Sequence, residues 1–96
     1  MKGYVVTVYK VIKDENVLKT YAVKAREAIE KHKGQFLVRG GNQIEVEGGL
    51  FERTVLVEFE SFTAAKNCYE SDAYQATYTN HVTGSAIRYV VLVEGV

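Results

Sequence analysis

The stretch "FLVRGG" (36–41) ends an apolar run on a fixed cation, Arg39, followed by two glycines. An arginine in that place is suited to clamp an anion through its guanidinium fork. A phosphate cradle would require the glycines to run straight into a helix whose free N–H groups meet the ligand. Here Gly40 and Gly41 are followed by "NQIEVEG", which alternates like a strand, and neither G-x-G-x-x-G nor G-K-[ST] occurs. Nucleotide binding by that mode is not expected. The other use of the pair is to supply positive φ angles for a bulge or turn.

Groups that could move a proton or attack an electrophile are few. His32 falls on the inward stripe of a predicted helix, beside a cavity between helix and sheet or simply at a helix end whose dipole it complements. His81 shares a helix face with Tyr74 and Tyr78. If the pocket does chemistry, these two histidines are the candidate catalytic groups, since an ordinary imidazole titrates near neutral pH. Cys68 lies on the apolar side of "AAKNCYE" with no nearby histidine or basic cluster to activate it, which suits a small buried hydrophobe. Two histidines and one cysteine without H-x-x-x-H or C-x-x-C spacing predict no metal, and no motif calls for a cofactor. Seven tyrosines are many for 96 residues, and Tyr69 and Tyr74 are placed to line a pocket, although rings of this kind also fill cores. Glu58, in mid-strand, either meets solvent or is buried against a cation, Arg39 or Arg88.

The totals narrow the setting. A chain of 96 residues supports one core, hence one domain over 1–96. Twelve basic and twelve acidic side chains cancel without forming blocks, so no field draws the protein to nucleic acid or to an acidic membrane surface. With no charged-then-apolar leader, no membrane-length apolar run and a single cysteine, a cytoplasmic location is expected.

These residues need elements to hold them. "GYVVTVYKVI" (3–12) reads as a strand with Val5, Thr7, Tyr9 and Val11 on one face and Tyr4, Val6 and Val8 on the other. In 14–34, Leu18, Tyr21, Ala22, Ala25, Ala28, Ile29 and His32 form one helical stripe, with Asp14 or Asn16 to cap the start and Gly34 suited to the end. Strands follow over 35–41 and 53–60, joined by what reads as a long hairpin arm. A helix opens at Ser61, "SD" at 71–72 interrupts and recaps it, and "AIRYVVLVEG" (86–95) closes with a fourth strand. The order β-α-β-β-α-β predicts an α+β, ferredoxin-like fold, a four-stranded antiparallel sheet with helices on one face. Both faces of the first and last strands are apolar, so the face away from the helices calls for a cover. A second copy packed sheet to sheet would provide it.

The chain resembles the domain-of-unknown-function 1330 family over nearly its whole length, through "GYVV", "GQFLVRGG", "RTVLVEFESFTAAKNCYESDAYQ" and "VLVEG". The resemblance implies a ferredoxin-like dimeric α/β barrel. Similar dimeric barrels include cofactor-free monooxygenases and small-ring isomerases, an analogy of fold. The positions that match the family's pattern are Arg39, Gly40 and Gly41, then Glu58 and Phe59, then Tyr69, Ser71 and Tyr74. Similar sequences often carry arginine where this one has His81, which turns a fixed charge there into a titratable one.

The expectation that results is a homodimer binding a small organic molecule between helices and sheet, with Arg39, Glu58, Tyr69, Ser71 and Tyr74 as binding residues and cofactor-independent catalysis as one use of the pocket. The alternative is a non-catalytic ligand sensor or structural dimerisation module. Nucleic-acid binding through the strand tyrosines Tyr4, Tyr9 and Tyr89, which would need basic neighbours, ranks last because the net charge is zero.

Overall fold

A computed structural model of the protein describes residues 1–81 and 84–96, with no side chain described at 78–81. The elements run β1 (Gly3–Ile12), α1 (Glu15–Lys31), β2 (Gln35–Arg39), β3 (Arg53–Phe59), α2 (Phe62–Glu70), α3 (Asp72–His81) and β4 (Ala86–Glu94). The strands form one antiparallel sheet in the order β2-β3-β1-β4. With the helices gathered on one face, this is the ferredoxin-like arrangement.

Alternation along the strands divides the two faces. Val5, Thr7 and Tyr9 of β1 and Val57 and Phe59 of β3 are buried beneath the helices, with Val55, Val90 and Leu92 packed among them. The other face carries Leu56 and the exposed Ile87, Tyr89, Val91 and Val93. The β1 register shifts between Tyr9 and Val11, so Ile12 rather than Val11 continues the inward row, and Val11 is exposed. A bulge of this kind places one extra residue on its strand and reverses the alternation beyond it.

Local chemistry sets the ends of the helices. Asp14, not Asn16, caps α1, its carboxylate accepting from the Val17 N–H at 3.1 Å. The helix finishes with Gly34 N–H on Ile29 O and Lys33 N–H on Glu30 O, a Schellman arrangement in which Lys33 is the left-handed residue at φ 62°. Gly34 serves instead for close approach, since a Cβ there would lie 2.6 Å from Ile29 Cγ2 and 2.8 Å from the Phe59 ring. Ser61 caps α2 through Ala64 N–H. Ser71 ends that helix and starts the next: its hydroxyl donates to Cys68 O at 2.7 Å and accepts from Tyr74 N–H at 3.3 Å.

The hairpin arm does not form. Gly40 turns the chain out of β2 at φ 70°, with its N–H on Thr54 O, and residues 41–52 follow an irregular path. The Gln43 side chain, tied to Phe51 O and to the Thr54 hydroxyl, anchors the loop. Ile44, Val46 and Leu50 are more than four-fifths exposed. Two strands that cannot bury an apolar face gain too little to hold a ladder.

Candidate functional site

Helix α1 packs chiefly on α3, whereas α2 lies against β1, β3 and β4. The space left between α1 and the sheet is a cavity of about 100 Å³. Its walls are apolar: Leu18, Ala25 and Ile29 from α1, Val5, Val57 and Phe59 from the sheet, and Cys68 and Tyr69 from α2. The small side chains of Ala22 and Ala25 on the helical stripe keep this space open.

One end of the cavity is polar. Tyr9 and Arg88 are register partners on the inner face of β1 and β4. Arg88 Nη1 donates to the Tyr9 hydroxyl at 3.1 Å and to the Tyr21 hydroxyl at 2.8 Å. Its guanidinium carbon lies 5.6 Å from the Tyr9 ring centroid and 5.0 Å from that of Tyr21, within cation–π range. Tyr21 and Tyr74 share a hydrogen bond of 2.6 Å between their hydroxyls, with the rings edge to face. Tyr69 leans on Tyr74 with centroids 5.2 Å apart. Burial raises the pKa of both Tyr21 and Tyr74. Burial also works against the Arg88 charge, but the surrounding tyrosines outweigh it and hold the guanidinium above its ordinary value. The end of the cavity is thus a positive charge wrapped in phenols.

Arg39 stands at the mouth. It is exposed, lies over the Phe36 ring at 4.8 Å, and with Phe36 borders both the cavity and a shallow outer groove beside Arg26 and Glu30. Arg53 also lines the cavity, with its charge paired to Glu15 at 2.7 Å. Cys68 is buried in the wall, where desolvation pushes its thiol up to about 11.

The other residues singled out from the sequence lie elsewhere. Glu58 is on the outer face of the sheet, opposite Tyr4 and Gln35, and accepts from the Tyr4 hydroxyl at 3.1 Å. That hydrogen bond is the main cause of a raised Tyr4 pKa. Arg39 pairs with Val55, so the register keeps Arg39 and Glu58 apart, and Arg88 points to the inner face. His32 caps α1 with its Nδ1 2.9 Å from Ala28 O and does not line the cavity. Ser71 acts at the joint between α2 and α3, not in the cavity lining. The side chains of His81 and Tyr78 lie outside the described residues. Among the described residues, no three of the His, Cys, Asp and Glu side chains are grouped to hold a metal ion, and no helix is long and apolar enough to cross a membrane.

Sequence reasoning brought Tyr69 and Tyr74 to the cavity but missed Tyr9 and Tyr21 as its polar end, and weighed Arg88 only as a partner for Glu58. One signal was present. Arg88 alternates in phase with Val90 and Leu92, and an arginine on the inward row of a strand must find partners indoors.

Comparison with known proteins agrees with the fold. A protein of unknown function from Rhodopseudomonas palustris superposes with a TM-score of 0.77 at 9% identity, over 99% of this chain and 82% of that one. A dimeric ferredoxin-like protein of unknown function from Jannaschia sp. CCS1 gives 0.69 at 14% identity, over 99% and 100%. A Dabb family protein with a ferredoxin-like fold from Mesorhizobium loti MAFF303099 gives 0.65 at 12%, over 100% and 99%. No curated protein matches the sequence. A family model does match, over residues 2–96, and by that match the chain belongs to the family described as a domain of unknown function, DUF1330.

Proposed function

We propose that the protein is a homodimer, paired through the outer face of its sheet, that binds a small organic molecule in the cavity beneath α1. The observation that carries the binding role is the buried Arg88–Tyr9–Tyr21–Tyr74 cluster at the end of an otherwise apolar space. A core built only for stability often loses nothing when a buried charged group is replaced by apolar side chains of similar volume. Pairing is supported by the exposed row Ile87, Tyr89, Val91 and Val93, and by the dimeric description of the Jannaschia neighbour.

In this assignment Tyr69 and Tyr74 form the wall against the ligand, Arg39 attracts an anion at the mouth, Ser71 fixes the start of the helix that presents Tyr74, and Glu58 with Tyr4 belongs to the dimer face. Binding without chemistry fits the described groups best: His32 is engaged at its helix end, and the Cys68 thiol keeps its proton at neutral pH. Proton transfer by a histidine, the enzyme alternative, requires that His32→Gln or His81→Gln abolish a turnover the native protein shows. A cytoplasmic location agrees with the unpaired Cys68. Zero net charge leaves nucleic acid and membrane outside the set of partners.

Native mass spectrometry of the purified protein tests both halves of the proposal. The expected spectrum is two chains, with added mass wherever ligand is retained. Monomers alone at micromolar concentration would defeat the dimer. Failure of every small acid, amide and alcohol in a screen to raise the melting temperature would defeat the cavity's role.

A further inference from the structure

Among the described residues, the polar end of the cavity has more donors than acceptors. Arg88 only donates, and each phenol brings one O–H. Among the described residues, one phenolic hydrogen is consumed in the bond between Tyr21 and Tyr74, whichever of the two donates. Tyr9 accepts from Arg88, and among the described residues its own hydrogen meets no acceptor in the cluster. Two phenolic hydrogens therefore remain to be received. If Tyr21 accepts from Arg88 and passes its hydrogen to Tyr74, the last hydrogen is on Tyr74, at the end of a chain polarised by a full positive charge. Among the described residues the cavity lining adds Arg39, and Arg53 whose charge is met by Glu15, and holds no aspartate or glutamate. Donors in excess, positive charge and apolar walls are complementary to one kind of guest.

Resting on the cavity proposed above, we infer that the ligand is a small apolar molecule bearing an anionic oxygen, of the carboxylate class, received by the Tyr9 and Tyr74 hydroxyls in front of Arg88. Its apolar part lies against Leu18, Ala25, Val57 and Phe59. Its size is bounded by the cavity. About 100 Å³ is less than the ~150 Å³ of an apolar protein cavity that holds benzene, so a short branched chain fits before a substituted ring does. A charge-assisted hydrogen bond is about twice as strong as a neutral one, which makes the anionic oxygen, not the carbon skeleton, the feature selected.

Three probes of one shape separate these contributions: 3-methylbutanoate, 3-methylbutanamide and 3-methylbutanol, each titrated into the full-length protein and followed by calorimetry and by amide NMR shifts of residues around the cavity. The carboxylate is expected to bind at least about ten-fold more tightly than the amide or the alcohol. Tyr9→Phe and Tyr74→Phe, which keep the rings and the packing, should each remove most of the about ten-fold preference for the carboxylate over the alcohol. Equal binding of all three probes would overturn the inference and leave the cavity as a binding site without preference for anions. No binding by any of them, with no shifts around the cavity, would remove the cavity reading as well. The preference of the native protein among the three probes decides the matter even if a phenylalanine variant folds poorly.

Discussion

Arg88 is the residue on which the interior turns. It occupies an inward strand position where burial disfavours its charge, and three tyrosines from β1, α1 and α3 meet around it. Tyr21 is central, because its hydroxyl accepts from Arg88 and bonds to Tyr74. Tyr21→Phe should therefore cost about 1–3 kcal/mol in urea denaturation, the penalty for leaving buried polar atoms unsatisfied. Two buried acids, Cys68 and Tyr21, set the alkaline limit of stability. An unfolded chain releases the Cys68 proton near pH ~8.5, whereas the folded chain holds it to about 11. Between those values the unfolded state binds fewer protons, so stability falls as pH rises through the window and is fully present below it. Tyr21, whose pKa is also raised by burial, adds a loss of the same sign beginning near the ordinary tyrosine value of ~10. Urea midpoints measured from pH 8 upward should decline, and Cys68→Ala or Tyr21→Phe should flatten the slope. A midpoint independent of pH over that range would contradict the burial of both groups.

At the scale of elements, the ends of the helices do more than stop them. Lys33 adopts a left-handed conformation that a β-carbon disfavours, so Lys33→Gly should stabilise the fold by up to about 1 kcal/mol, seen as a higher melting temperature with unchanged far-UV spectrum. The neighbouring glycine behaves oppositely. Gly34→Ala would drive a methyl into Ile29 and Phe59 and should cost about 1–3 kcal/mol. Ser71→Ala removes the hydroxyl that joins α2 to α3, an expected loss of about 1 kcal/mol by chemical denaturation. Because Tyr74 lies in the first turn after that joint, weaker carboxylate binding should accompany the loss of stability. Helix ends were legible where a side chain does the capping, as at Asp14 and Ser61. Gly34 does lie just past the end of α1, but the left-handed residue there is Lys33, and Gly34 serves close packing.

For the whole molecule, the sheet has two apolar faces and three helices to cover only one. Val91, 54% exposed among Tyr89, Val93 and Val6, lies in the uncovered row. Val91→Lys is expected to shift the proposed dimer to monomer in light scattering, since a buried ammonium without a partner is strongly disfavoured at an interface. A dimer that survives this change would place the interface elsewhere. The irregular loop of residues 41–52 belongs to the same scale. Its alternating "IEVE" reads as a strand, yet Ile44 and Val46 find no apolar surface within their own chain.

The sequence by itself determined the order of the elements, the two faces of the first and last strands as far as the bulge after Tyr9, and the helical stripe from Leu18 to Ile29, because alternation and the 3.6-residue period are local properties of the chain. It also marked Tyr74 and Tyr69 as residues of the pocket. Only the tertiary structure decided that Arg88 meets Tyr9, Tyr21 and Tyr74, that Glu58 faces away from them with Tyr4, and that His32 remains at its helix end. Those outcomes depend on strand register and on how far α1 stands from the sheet. Both are fixed by packing between residues up to 79 positions apart in the chain, and no local pattern records them.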